Sequence, residues 1–214
     1  MKKTKLFLLL IAMLSAIAIT TGCGGGGGGG DGGGGTPTSA PTPTPTPTSV
    51  NLPETGQTIC YDAAGAVVAC ANTGQDGELQ KGVVWPSPRF TVDGTGLCVT
   101  DNLTGLMWVR TPDSVLRTWQ AALDYANNLT LCGYSDWRLP NRKELRSLIN
   151  YGQANTATWL NTQGFSNVQA YIYWSSSTYA GNPTYGWIVS MWFGHVYGGN
   201  KAVTLYVWPV RAGQ

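Results

Sequence analysis

The densest group of chemically active side chains in this sequence is a run of positive charges. It comprises Arg138, Arg142, Lys143 and Arg146, with Glu144 as the one acid inside the run. Guanidinium groups bind sulfate-like oxygens in a forked geometry, so the run would suit a sulfated or uronic-acid sugar. We therefore predict a local anion-binding patch. A solvated helix face with some internal ion pairing is the alternative.

Aromatic rings would supply the other half of a sugar site, because their faces pack against the apolar faces of sugars. In a strand over residues 186–193, alternation places Trp187, Val189, Met191 and Phe193 on one side and Ile188, Ser190 and Trp192 on the other. We expect Trp192 to be exposed and to contribute to ligand stacking. Most of the other aromatic residues between 173 and 197 are expected to be buried.

Metal binding has little support in the sequence. Asp93, Asp101 and Asn102 lie in a glycine-rich stretch, but they match no EF-hand spacing and are typical of turns. We predict no cofactor, with Ca²⁺ left open.

Catalysis has little support either. His195 has no evident Cys or Ser partner, and Asp136 and Glu144, which could form a glycosidase pair, each have a structural role available. We expect a non-enzymatic protein, with an enzyme of unrecognised type as an alternative.

The cysteines divide into one that precedes the folded part and four within it. An even set in an exported chain predicts disulfides, and we expect Cys60 to pair with Cys70 and Cys98 with Cys132. The first pair would close a hairpin-like loop, and the second would join a strand to the end of a helix. A zinc site is disfavoured, because no cysteine pair has two-residue spacing.

The N-terminal region has the features of an export signal. Lys2, Lys3 and Lys5 precede the uncharged stretch 6–19, whose 14 residues are fewer than the roughly 20 of a membrane span. Thr20-Thr21-Gly22-Cys23 resembles a bacterial lipobox, so we expect a signal peptide over 1–22 and a lipid on Cys23. Secretion after cleavage near residues 16–18 is the alternative. Since Gly24, and not Asp, directly follows Cys23, an outer-membrane lipoprotein facing the surface or the periplasm is expected.

A flexible tether is predicted between this anchor and the folded part. Residues 23–50 are mostly Gly and then Thr, Ser and Pro, which cannot build a core. Residues 51–214 form the predicted domain and contain ten Lys/Arg and ten Asp/Glu, because Lys2, Lys3, Lys5 and Asp31 all precede it. Nucleic acid is therefore not an expected partner.

Two helices and several short strands must position the candidate residues. Thr118 would cap the first helix, whose apolar stripe runs from Trp119 to Leu129. Asn141 and Glu144 would form a capping box at the start of the second. Strands are expected over 98–100, 106–109, 172–175, 186–193, 195–197 and 205–211, with a turn at 198–200. This order predicts an α+β fold.

The connection between the two helices reads Asp136-Trp137-Arg138-Leu139-Pro140. We expect Trp137 to fill the core, and Asp136 and Arg138 to hydrogen-bond to the backbone of neighbouring strands. On this interpretation the segment is architectural.

Several strings together resemble the Lcl C-terminal domain family, long known as a domain of unknown function. They are "TVDGTGLCVTDNLTGLMW", "TWQAALDYANNL", "CGYSDWRLPNRKELRSLI", "YWSSS" and "VWPVR". The resemblance implies a domain related to C-type lectins and to the formylglycine-generating enzyme, with two helices on short antiparallel strands. It also implies exposure outside the cell and binding of sulfated glycosaminoglycans.

The leading functional hypothesis is therefore a cell-surface module for adhesion to an anionic glycan or extracellular matrix polymer. The chain has no Gly-x-y collagen repeat, so its Gly/Thr-Pro tether would be a different spacer from a collagen stalk. A structural or assembly lipoprotein is the first alternative.

Overall fold

The computed structural model describes residues 52–212. The predicted signal peptide, the lipid site at Cys23 and the tether over 23–50 lie outside this range. Within residues 52–212, the helices are all too short or too polar to cross a membrane.

The described chain combines short helices with antiparallel sheets. In chain order the elements are β1 (Cys60–Tyr61), β2 (Val67–Val68), α1 (Asp76–Leu79), β3 (Phe90–Val92), β4 (Cys98–Asp101), β5 (Leu106–Val109), α2 (Trp119–Asn127), α3 (Arg142–Ser147), α4 (Thr156–Leu160), β6 (Ile172–Thr178), β7 (Tyr185–Ser190), β8 (Val196–Asn200) and β9 (Val210–Ala212). The α+β prediction is confirmed. Helices α2 and α3 match the two expected ones, whereas α1 and α4 were not predicted.

Three antiparallel sheets organise these strands. One has the order β3-β4-β5-β9, the second has the order β6-β7-β8, and β1 pairs with β2. Strand β9 returns from the C-terminal end to pair with β5, with Trp108 opposite Val210. Helix α3 packs against β6 and β7, which places its charged residues beside the three-stranded sheet.

A core rich in tryptophan holds the sheets together. Trp108, Trp174 and Trp208 are completely buried. The Trp108 and Trp208 rings meet edge to face with centroids 5.6 Å apart, and Phe165 meets Trp208 in the same way at 5.1 Å. Such contacts add to the burial energy of large rings, so this cluster fixes the framework on which α3 rests.

Helix α3 begins where the sequence predicts it. The Asn141 side chain accepts hydrogen bonds from the amides of Lys143 and Glu144, and the Glu144 carboxylate accepts one from the Asn141 amide. The capping box is therefore confirmed. Buried Leu145 and Leu148 hold the helix against the core. At α2, in contrast, Thr118 occupies the cap position but its side chain makes no capping bond.

Both predicted disulfides are present. Cys60 is bonded to Cys70 across the β1–β2 hairpin. Cys98, at the start of β4, is bonded to Cys132, which follows α2.

Two of the predicted strands are shorter than expected. β7 ends at Ser190, so the predicted alternation of side chains between the two faces of the strand is wrong for residues 191–193. Met191 is completely buried, whereas Trp192 and Phe193 are both exposed. The strand expected over 205–211 is regular only in β9. Pro209 interrupts it because proline lacks the amide that a ladder requires.

The predicted turn at residues 198–200 is also wrong. Gly198, Gly199 and Asn200 belong to β8 and pair with β7. The packing around Gly199 is tight: a Cβ there would lie 3.0 Å from Ile188 Cδ1 and 3.3 Å from the Trp174 ring, so a larger residue would require these side chains to shift.

The connection before α3 is architectural, but its charged residues act differently from the prediction. Trp137 is 2% exposed, as expected for a core residue. The Asp136 carboxylate accepts hydrogen bonds from Arg211, and the Arg138 guanidinium pairs with Glu144. The expected side-chain bonds to strand backbones are therefore replaced by ion pairs. Only the Arg138 backbone bridges to a strand, at Val210.

Candidate functional site

A shallow open groove of about 300 Å³ lies beside the start of α3. We call it the α3 groove, and it is lined by Asn141, Arg142, Lys143, Ser177, Thr178 and Trp187. The capping box sets the start of the helix, and the Arg142 amide donates a hydrogen bond to Ser177 Oγ at 3.1 Å on β6. These contacts fix α3 against the sheet, so the two walls of the groove, α3 on one side and β6 and β7 on the other, keep a fixed relative position.

Arg142 is positioned in the groove by an aromatic ring. Its guanidinium carbon lies 4.5 Å from the centroid of the Trp187 ring on β7, a cation–π contact. The Tyr179 ring packs edge to face against the Trp187 ring, with centroids 4.9 Å apart, and supports it. Within residues 52–212, the Arg142 side chain makes no hydrogen bond, so its N–H groups are available to a ligand in a nearly preformed orientation.

Lys201 is a further cation at the edge of the groove. Its place there was not predicted from the sequence. Its ammonium group donates to Thr178 Oγ1 at 2.9 Å and lies 3.7 Å from the centroid of the Trp119 ring. The signal that could have found it is charge composition, because residues 145–214 contain no Asp or Glu and Lys201 is the one Lys or Arg between 147 and 210.

Arg138 belongs to the predicted patch, but its charge is already matched. Arg138 Nη1 and Nη2 donate to the two Glu144 oxygens at 2.7 and 2.6 Å. Burial raises the pKa of Glu144, but hydrogen bonds from Arg138 and from the Asn141 amide lower it by more, so the pKa lies below its usual range. The pair thus contributes little net charge to the groove at neutral pH.

Arg146 lies one helical turn beyond Arg142, about 6 Å along the axis. Its Nε donates to the Tyr151 hydroxyl at 3.0 Å, and its guanidinium is 6.0 Å from that ring. The exposed face of α3 therefore carries two arginines, each placed against a different aromatic ring.

The structure does not place Trp192 among the groove-lining residues. Its side chain is 47% exposed, as expected, but it stacks on Phe193 with ring centroids 4.8 Å apart. Trp187, assigned by alternation to the buried side, is the half-buried ring that lines the groove.

The cations near the groove differ from most others in the described chain by having no acidic partner. Four arginines form ion pairs: Arg89 with Asp101, Arg117 with Asp113, Arg138 with Glu144 and Arg211 with Asp136. Arg142, Lys143, Arg146 and Lys201 form no ion pair within residues 52–212. A local positive surface thus arises on a domain whose total charge is balanced.

The side chains considered for calcium serve the local fold instead. Asp93 accepts from the Thr95 hydroxyl and from the Leu97 and Cys98 amides. Asp101 is completely buried against Arg89, and Asn102 donates to the Pro88 carbonyl.

Asp93 does lie close to two sulfurs, those of Cys98 and Cys132. Both sulfurs are joined in a disulfide and are not thiolate ligands. The described residues therefore do not bring Asp93, Asp101 and Asn102 together as a ligand set.

The residues considered for catalysis make local structural contacts. His195 is exposed, and its ring lies 5.6 Å from that of Phe193. Asp136 pairs with Arg211, whereas Glu144 caps α3 and pairs with Arg138. Among the described residues, no carboxylate lines the α3 groove.

Comparison with known proteins identifies the family. The family model of the Lcl C-terminal domain matches residues 97–211, which include β4 to β9 and the α3 groove. No curated protein matches the chain significantly. Because the match covers more than half of the sequence, the chain belongs to the Lcl C-terminal domain family.

Proposed function

We propose that this protein is a non-enzymatic cell-surface module that binds an anionic glycan or matrix polymer through the α3 groove. The proposal rests on one observation: Arg142 and Lys143 line the groove with Trp187 and two hydroxyl side chains, and Lys201 donates to one of those hydroxyls, that of Thr178. Among residues 52–212, no carboxylate lines the groove. Cations recognise sulfate or carboxylate groups, while an aromatic ring contacts the apolar face of a sugar.

The groove fits a chain-like ligand better than an enclosed small molecule. It is open, and Arg146 on Tyr151 extends the cationic surface along α3. A polymer with repeated anionic groups could contact both arginines at once. Because exposed charges are screened by salt, binding should weaken as ionic strength rises.

The display of this module is part of the proposal. A lipid on Cys23 and the Gly/Thr-Pro tether would hold it away from an outer membrane. Helices α2 and α3, the antiparallel sheets and the two disulfides support a fold related to C-type lectins and the formylglycine-generating enzyme.

Heparin-affinity chromatography of the purified full-length protein tests the site. Lys143→Ser and Lys81→Ser form a matched pair, because each removes one exposed lysine that has no ion pair in the described chain. We expect Lys143→Ser and Arg142→Ser to elute at lower salt than the parent, and Lys81→Ser to elute with it.

Equal elution of the Lys143→Ser and Lys81→Ser variants would reject the α3 groove as the binding site. Failure of the parent protein to bind heparin, together with self-association on sizing, would favour an assembly role instead.

A further inference from the structure

A second cavity, as open to solvent as the α3 groove, lies on the segment that precedes the family-matched region. It has a volume of about 420 Å³, and its lining includes Glu54, Thr58, Trp85, Arg89, Asn150 and Trp159. Its size falls within the roughly 300–1,000 Å³ typical of small-molecule sites. Most of these residues precede residue 97, so the cavity forms where this leading segment packs on the domain.

One side of the cavity is an aromatic wall. The Trp85 and Trp159 rings contact each other with centroids 5.5 Å apart and planes tilted by 39°. The Trp85 indole N–H donates to the Glu54 carbonyl at 2.9 Å, which fixes the ring. The Arg89 guanidinium carbon lies 4.2 Å from the centroid of the Trp85 ring and so covers part of this wall. Both tryptophan side chains are only partly buried, so the exposed part of the rings offers an apolar surface to a ligand in the cavity.

Arg89 supplies an unsatisfied donor. Its side chain is 4% exposed, and Nε and Nη2 donate to the Asp101 carboxylate at 3.3 and 3.2 Å. Nη2 also donates to the Ser147 carbonyl at 2.6 Å, whereas Nη1 is buried and finds no acceptor between residues 52 and 212. A buried donor left unpaired is costly, typically about 1–3 kcal/mol, so an oxygen atom that reached Nη1 would be stabilising.

Asn150 supplies a second donor. It is 6% exposed, and its Oδ1 accepts from the Gly152 amide at 2.9 Å. Within residues 52–212, its Nδ2 group donates to no acceptor. Two nearly buried side chains in the lining therefore each have a free N–H group.

The charge of the cavity distinguishes it from the α3 groove. Asp101 neutralises Arg89, and Glu54 lies in the lining. An anionic ligand would gain no net attraction here, whereas a neutral ligand with oxygen acceptors would use both free donors.

We propose that this cavity binds a neutral saccharide unit. One face of the sugar ring packs on the Trp85–Trp159 wall, and hydroxyl or carbonyl oxygens accept from Arg89 Nη1 and Asn150 Nδ2. Nη1 is shielded from bulk water, so a small shift of the partly exposed Trp85 ring accompanies binding. This site is independent of the anion binding proposed for the α3 groove.

Isothermal titration of the purified full-length protein with cellobiose, maltose and chitobiose tests this inference. We expect saturable binding of at least one disaccharide, weakened at least tenfold by Trp85→Ala. Trp192→Ala removes an exposed tryptophan outside the cavity and should leave the affinity unchanged. Thr58→Trp fills the cavity from an exposed position and should also abolish binding, even if Trp85→Ala alters folding.

The inference is overturned if none of the three disaccharides binds, or if Thr58→Trp binds as the parent does. The two sites are separated by a cross-test: Arg142→Ser should keep the disaccharide affinity, and Thr58→Trp should keep heparin retention. Loss of heparin retention alone therefore bears on the α3 groove and not on this cavity.

Discussion

Replacing Glu144 with glutamine should destabilise the fold and strengthen heparin binding at the same time. Glutamine keeps an oxygen that can accept from the Asn141 amide, so the capping box survives. The same oxygen also accepts from Arg138 Nη1, so glutamine loses the 2.6 Å contact with Arg138 Nη2 and the charge of the ion pair. Hydrogen bonds to charged groups contribute about 1.5–3 kcal/mol when shielded. Because the Arg138 side chain is 40% exposed, we expect a loss of about 1 kcal/mol.

Thermal unfolding followed by circular dichroism measures this loss. For a domain of this size, about 1 kcal/mol corresponds to a fall in Tm of roughly 3 °C at neutral pH. The folded-state pKa of Glu144 is lowered, so its stabilisation is present above the unfolded pKa of about 4.3 and is lost as pH falls through the folded value. The difference between variant and parent should therefore shrink in acid.

The same substitution releases Arg138 beside α3, so Glu144→Gln should elute from heparin at higher salt. Asp124→Asn is the matched control, because it removes one exposed carboxylate that forms no ion pair in the described chain and keeps an acceptor for Gln120. The reasoning is refuted if Glu144→Gln is as stable as the parent at pH 7. It is also refuted if Asp124→Asn raises heparin retention equally.

Three further predictions concern the framework and are read from chemical or thermal unfolding. Asp101→Asn leaves the buried Arg89 charge unpaired and should cost about 3–5 kcal/mol, and a loss below 1 kcal/mol would contradict this. Trp208→Ala removes a completely buried ring in contact with Trp108 and should cost about 3–5 kcal/mol, whereas exposed Trp192→Ala should cost far less. Replacing Cys98 and Cys132 with alanine removes a disulfide that spans 34 residues and should cost about 4 kcal/mol of stability. Replacing Cys60 and Cys70, which are 10 residues apart, should cost about 3 kcal/mol. A larger loss from the Cys60–Cys70 replacement would contradict the loop-length argument.

Local signals in the sequence predicted the elements that depend on local chemistry. Asn141 followed three residues later by Glu144 predicted the start of α3, and the even cysteine set predicted both disulfides. The cationic run was also visible, because Arg142 and Lys143 are adjacent in sequence.

Features that depend on distant contacts were not predictable in the same way. Gly198 and Gly199 have the composition of a turn, but β7 pairs with them, and the Ile188 and Trp174 side chains lie close to Gly199. Lys201 follows β8, and the pairing of β8 with β7 brings it to Thr178 at the edge of the α3 groove. Trp187 lies on β7, and its ring contacts Arg142 from α3. Arg138 loses its free charge through a pairing that spacing alone left open.

The most direct test of the proposed function is titration of the full-length protein with a heparin octasaccharide and with its fully desulfated counterpart. We predict that the sulfated ligand binds at least tenfold more tightly to the parent, and that Arg142→Ser/Lys143→Ser/Lys201→Ser removes this preference while the fold is retained. Equal affinity of the parent for both ligands, or an unchanged preference in the triple variant, would contradict anion recognition by the α3 groove.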